Sequence, residues 1–217
     1  MFSPSNPNPT KSGNISRSKS HVTASQREKL LCQRPATIWL TGLSGAGKST
    51  IAFGLEKKLM DIGRFCCVID GDNVRHGLNR DLGFSHEDRS ENIRRVSELA
   101  HFLNEAGAIA ITSFISPYRD DRQLAKRIIG EDRFIEVFVD APITVCEKRD
   151  IKGLYKKARA GLIQEFTGIS APYEPPEAPQ IHLRTDVHSA DEVISDVYKQ
   201  LIKKGFLLMN MDCSIGL

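Results

Sequence analysis

Gly42-Leu43-Ser44-Gly45-Ala46-Gly47-Lys48-Ser49 stands between the apolar run Thr37–Thr41 and a helical pattern over Lys48–Ile62. The octapeptide fits G-x-x-x-x-G-K-[ST], and its context is the required one: a strand, a phosphate-binding loop, then a helix. Its glycines let the chain curl so that successive N–H groups point inward at phosphate oxygens, reinforced by the positive end of the helix dipole. Lys48 is expected to reach the β- and γ-phosphates of a nucleotide, and the Ser49 hydroxyl to ligate Mg2+. Gly42, Ser44, Gly45, Ala46, Gly47, Lys48, Ser49 and Thr50 are therefore the candidate nucleotide-binding residues.

Outward from this loop, short apolar or β-branched runs alternate with longer helical patterns, the signature of a parallel α/β sheet. Strands are predicted at Thr37–Thr41, Phe65–Asp70, Ala108–Phe114, Phe134–Val139 and Ile181–Arg184. Their nearly continuous apolar character implies cover on both faces. Helices are predicted at Lys48–Ile62, Asp120–Ile129, Ile143–Arg149 and Ala190–Lys203, and through Ile93, Val96, Ala100 and Leu103, whose spacing makes one apolar stripe. The expected fold is a three-layer α/β P-loop NTPase type, with a five-stranded parallel sheet, helices on both faces and a basic lid. The lid is read at about 150–180, where basic Lys152–Arg159 is followed by glycines and four prolines between Pro172 and Pro179.

The 217 residues suit one domain with tails: a flexible basic arm over 1–27, a P-loop domain over 28–206 and a tail over 207–217. An apolar fraction of 40% and a charged fraction of 26% disfavour wholesale disorder and a disulfide-dense mini-protein. No apolar run approaches the roughly 20 residues of a membrane-spanning helix. The net charge of +3 belongs to the arm: residues 1–27 hold four Lys/Arg and no Asp or Glu, which leaves −1 for the remainder. Neither nucleic acid nor membrane is expected as a partner. Five cysteines show no zinc-site spacing, and the three in apolar stretches (Cys66, Cys67, Cys146) are read as reduced core thiols, which imply a reducing, cytoplasmic compartment.

The loop identifies the donor, not the acceptor. A GTPase would need Asn-Lys-x-Asp, which is absent; Asp150-Ile-Lys-Gly153 fits D-x-x-G but follows the fourth strand instead of ending the third. Acceptor groups are expected at the carboxyl ends of the second and third strands. There Asp70-Gly-Asp72 offers two carboxylates for metal-bound water and for orienting an attacking hydroxyl, or simply a helix cap. Ser49 and, through water, Asp72 form the expected metal set, with Asp70 as the other carboxylate. Arg75, Arg80 and Arg89, with Asn92, resemble an anion pocket, and Phe84 among them offers a face for a base. Arg80, Arg94 and Arg95 read equally well as a solvated face. Ser116 stands at the mouth of the third strand with no His or Lys base beside it, so a turn or ligand-bonding role competes with a nucleophilic one.

Seven ordered blocks, from the P-loop through Asp70-Gly-Asp-Asn-Val-Arg-His-Gly-Leu-Asn79, Leu82-Gly-Phe-Ser85, Glu91-Asn-Ile-Arg-Arg95, Ser113-Phe-Ile-Ser-Pro-Tyr-Arg119 and Lys152-Gly-Leu-Tyr-Lys-Lys-Ala-Arg-Ala-Gly161 to Phe166-Thr-Gly-Ile169, resemble adenylylsulfate (APS) kinase in its stand-alone form. The resemblance implies ATP and Mg2+, and transfer of the γ-phosphoryl group to the 3′-hydroxyl of adenosine 5′-phosphosulfate in sulfate assimilation. It implies an APS pocket of Asp72, Asn73, Arg75, Phe84, Arg89, Asn92, Ile115 and Ser116, closed by Lys152 and Phe166, with Phe84 and Phe166 sandwiching the adenine. Arg149 resembles the residue that packs against the ATP adenine. Ser116 matches a serine phosphorylated in some members, and a homodimer is expected. Lys48, Asp70, Asp72, Ser116 and Lys152 are the catalytic candidates, with Lys156 as a second lid cation. The chain departs from the family at Leu162, where a glutamate is usual. Its arm keeps Asn14-Ile15 and Val22-Thr23 without the usual Trp-His between them. A kinase for another small hydroxyl acceptor, and a nucleotide-dependent switch, are the alternatives.

Overall fold

The computed structural model describes Ser18 and residues 20–207. Asn14-Ile15 and most of the arm and tail lie outside the described residues. In chain order the elements are α1 (Ala24–Leu31), β1 (Ala36–Thr41), α2 (Lys48–Asp61), β2 (Cys66–Asp70), α3 (Gly71–Arg75), α4 (His86–Glu105), β3 (Ile109–Ser113), α5 (Arg119–Ile129), β4 (Phe134–Asp140), α6 (Ile143–Arg149), α7 (Leu154–Arg159), β5 (Ile181–Arg184) and α8 (Ala190–Lys203). The five strands form one all-parallel sheet, as expected, and their order is β2-β3-β1-β4-β5.

Alternation along the strands builds two cores. Ile38 and Leu40 of β1, with Ile109 and Ile111 of β3, pack with Ile51, Leu55 and Leu59 of α2 and Val197 and Leu201 of α8. Trp39 and Ala110 point the other way, to Ile93, Val96 and Ala100 of α4 and Ala125 and Ile129 of α5. Every residue of β1 is buried because both faces are covered, which is why the strand reads as an unbroken apolar run. The registers Asp70↔Ser113 and Leu40↔Ser113 bring the carboxyl ends of β2, β3 and β1 level at one edge. The P-loop follows β1 there, and the acceptor candidates follow β2 and β3.

Two features differ from the expected organisation. Helix α1 starts at Ala24, inside the segment read as a flexible arm, and is opened by a capping box in which Thr23 and Gln26 exchange hydrogen bonds. Leu207, read as the first tail residue, is buried and bridges Gln33. Cys66, Cys67 and Cys146 are free, in line with the reduced-thiol reading, and burial pushes the Cys66 thiol up to about 12. Among the described residues no helix is long and apolar enough to cross a membrane.

Candidate functional site

The P-loop needs glycine where the backbone runs against its neighbours. Gly45 has φ +76°, and a Cβ there would lie 2.9 Å from the Cys146 carbonyl oxygen; at Gly42 it would lie 2.2 Å from that of Val139. Five consecutive loop carbonyls accept from side chains. Lys48 Nζ donates to Gly42 O (2.9 Å) and Leu43 O (2.7 Å), Tyr155 Oη to Ser44 O (2.9 Å), Arg149 Nη1 to Gly45 O (3.3 Å) and Thr185 Oγ1 to Ala46 O (2.8 Å). Held from its carbonyl side, the loop keeps its shape without committing all its amides, the requirement of an anion nest. Lys48 is buried, and that burial lowers its pKa to about 8 despite the pull of Cys146, Asp70 and Asp72.

The two aspartates after β2 divide. Asp70, buried at the strand end in an extended conformation, caps α3 by accepting from Asp72 N (3.0 Å) through Oδ1. Its Oδ2 accepts from Ser49 Oγ (2.8 Å), which also lies 3.1 Å from Ser113 Oγ. Asp72, already in the helix, is exposed and pairs with Lys152 of the lid. Of the expected metal set the structure therefore brings Asp70, not Asp72, to Ser49, because one turn of backbone carries the second carboxylate to the lid side. The hard oxygens of Ser49 and Asp70 fit Mg2+, which binds through few protein ligands and completes its shell with phosphates and water.

The loop between α3 and α4, where acceptor groups are expected, is staked at several points. Arg75 lies over the Phe84 ring at 4.3 Å and donates to Leu82 O (3.1 Å) and Gly83 O (2.8 Å). Arg89 lies 5.7 Å from the same ring and joins Phe84 O to Glu165 O, both at 2.9 Å, which ties this loop to the residue before Phe166. Burial is the first cause lowering the pKa of both arginines, and for Arg75 the mutual repulsion with Arg89 comes next. Phe84 remains 60% exposed, whereas Phe166 is buried with Tyr155 against its ring. Asn92 is buried and accepts from Asn79 Nδ2 (2.9 Å); Asn73 is exposed. Arg95, which sequence could equally place on a solvated face, forks onto Asp81 (2.7 and 2.8 Å) and reaches Glu91 (2.8 Å), pinning the loop to α4.

Ser116 is 2% exposed and adopts φ +39°, unusual for a residue with a side chain. Its Oγ accepts from Trp39 Nε1 (3.2 Å), and its carbonyl accepts from Arg122 Nη1 (2.7 Å). Thr41 Oγ1 donates to Ile115 O (2.7 Å) and meets Tyr173 Oη at 3.0 Å. Buried Arg122 also holds Glu136 Oε1 and Glu174 O, both at 2.8 Å. The Tyr173–Pro175 leg of the lid is thus fixed to the turn after β3. Trp39, Thr41, Arg122, Tyr155, Tyr173 and Thr185 were not among the sequence-derived candidates. Trp39 alone carried a signal, since an indole N–H in an apolar strand must find an acceptor.

The adenylylsulphate kinase family profile matches residues 34–184. The chain is 51% identical over 89% of its length to the adenylyl-sulfate kinase of Clostridium acetobutylicum, of which it covers 96%. It is 54% identical over 82% of its length to the bifunctional enzyme CysN/CysC of Xylella fastidiosa, of which it spans only 29%. Among solved structures, the Mycobacterium tuberculosis APS kinase CysC in complex with AMPPNP and APS superposes with a TM-score of 0.75 at 48% identity, covering 78% of this chain and 99% of that one. With the P-loop, the divided aspartates and the arginine-staked loop before α4 at one sheet edge, these matches leave one assignment: the chain belongs to the adenylylsulphate kinase family.

Proposed function

We propose that this chain phosphorylates the 3′-hydroxyl of adenosine 5′-phosphosulfate with ATP, giving 3′-phosphoadenosine 5′-phosphosulfate and ADP, as a step of sulfate activation. The observation that carries the reading is the Asp70–Asp72 turn: one carboxylate meets the P-loop at Ser49, the next meets the lid at Lys152. Donor and acceptor groups therefore converge within three residues.

Residues 42–50 hold the ATP phosphates, and Arg149, already bonded to Gly45 O and Thr185, borders the nucleoside end. Lys48 exchanges its two carbonyl partners for phosphate oxygens. Mg2+, held through Ser49 and Asp70, would neutralise charge on the β- and γ-phosphates. The anionic end of the acceptor falls to Arg75, Arg89 and Asn92, with Phe84 and Phe166 flanking its adenine and Asn73, Ile115 and Ser116 completing the pocket. Asp72, released from Lys152, orients the 3′-hydroxyl and takes its proton, since Asp70 is already engaged by Ser49 and its own helix cap. Lys152, with Lys156 as the second lid cation, then faces the transferring group. Ser116 holds the pocket wall and is not a phosphorylated intermediate: its hydroxyl is buried against the Trp39 indole, and direct transfer needs only positioning and charge stabilisation.

The assembly is a homodimer, which light scattering tests. A cytoplasmic location is supported by the free thiols of Cys66, Cys67 and Cys146. ADP release measured with APS, with AMP and with gluconate tests the substrate. The reading expects ADP with APS alone, and equal release with gluconate would replace it with a kinase for another hydroxyl acceptor.

A further inference from the structure

The lid helix α7 is bolted to the phosphate loop by one side chain. Tyr155 is 2% exposed, and its hydroxyl donates to Ser44 O at 2.9 Å. Its ring meets the Phe166 ring nearly edge-on, with centroids 5.0 Å apart and planes at 76°. Its backbone N–H is held by Asp150 Oδ1 (3.1 Å), while Asp150 Oδ2 takes the N–H of Lys156 (3.0 Å), so the residue cannot slide along the lid. One rigid phenol thus touches a carbonyl of the donor loop at one end and a wall of the acceptor pocket along its ring. Neither contact is with a substrate.

We propose that Tyr155 is a positioning residue that couples occupancy of the phosphate loop to the shape of the acceptor pocket. The inference rests on the functional reading above. Settling of the loop on phosphates fixes Ser44 O. That fixes the Tyr155 hydroxyl, and the ring in turn sets Phe166 for the acceptor base. The coupling is reciprocal, so each ligand raises the affinity for the other by the same factor.

Tyr155→Phe tests this with least disturbance, because it keeps the ring against Phe166 and deletes only the hydroxyl. Calorimetric titration of APS, with and without saturating AMPPNP, gives the coupling factor in each protein. The wild type is expected to bind APS more tightly with AMPPNP present. Tyr155→Phe should lose about fivefold of that factor, the worth of one neutral hydrogen bond. APS affinity without AMPPNP should change less than twofold, which separates coupling from a general loosening of the pocket. A wild-type factor of one, or an unchanged factor in the variant, overturns the proposal even if the variant melts earlier. Failure of the wild type to bind APS at all overturns the functional reading, and the coupling with it. Tyr155→Leu, which also removes the ring, should additionally weaken APS binding without nucleotide; unchanged binding there would refute the role of the Phe166 contact.

Discussion

Nucleotide affinity should collapse above neutral pH because of one buried amine. Burial depresses Lys48 from an ordinary 10.5 to about 8, while its hydrogen bonds among the described residues run to the neutral carbonyls of Gly42 and Leu43. Free protein then carries the Lys48 charge in about nine molecules of ten at pH 7 and about one in ten at pH 9. A bound triphosphate favours the ammonium and raises its pKa again. The dissociation constant of an ATP analogue should therefore rise about tenfold between pH 7 and 9, ~1.4 kcal/mol, with about half a proton taken up per binding event at pH 8. Calorimetry in two buffers of different ionisation heat reads both quantities. Affinity that stays flat to pH 9, with no proton uptake at pH 8, would refute the argument. The same shift acts on folding. The unfolded chain keeps this proton to a higher pH than the native one, so the native state bears a penalty of about 3 kcal/mol below pH 8 that fades as the pH rises to 10.5. The residue's contribution to stability accordingly improves across that alkaline window.

Gly42→Ala drives a Cβ to 2.2 Å from a backbone oxygen, so it should cost about 2 kcal/mol or more in thermal or denaturant melts and abolish binding of AMPPNP. Arg122→Met leaves Glu136 Oε1 and Glu174 O without their donor and Ser116 O with only the 3.4 Å bond from Thr41; a loss of about 3 kcal/mol in a urea melt is expected, with KM for APS rising more than KM for ATP. Asp70→Asn removes the carboxylate beside Ser49, and should lower kcat about a hundredfold and weaken the Mg2+ dependence of ATP binding, read by titrating the metal at fixed ATP.

How far the sequence reached depended on whether a residue's role was periodic, local or long-range. The five strands were legible because two-sided burial writes an apolar run, as in β1. Helices α3 and α7, of five and six residues, are too short to show a period, and α7 carries Lys156, Lys157 and Arg159 besides its buried Tyr155 and Ala158. The phosphate loop was legible because its chemistry is contiguous. The division of labour between Asp70 and Asp72 was not, because it depends on a switch from strand to helix between them. Arg122 was the least legible: in Arg119-Asp-Asp-Arg122 it looks like one more charge on a surface helix, and only the approach of β4 and residue Glu174 gives its guanidinium three acceptors. The same long-range folding brings Tyr155 to Ser44, 111 positions away.

Wild-type protein and Lys48→Ala, each incubated with Mg·ATP and APS, put the central claim to its most direct test when 3′-phosphoadenosine 5′-phosphosulfate is quantified by chromatography. The wild type should form it in step with ADP, and the variant should form none above background. Near-wild-type product from Lys48→Ala, or ADP from the wild type without the 3′-phosphorylated nucleotide, would contradict the account.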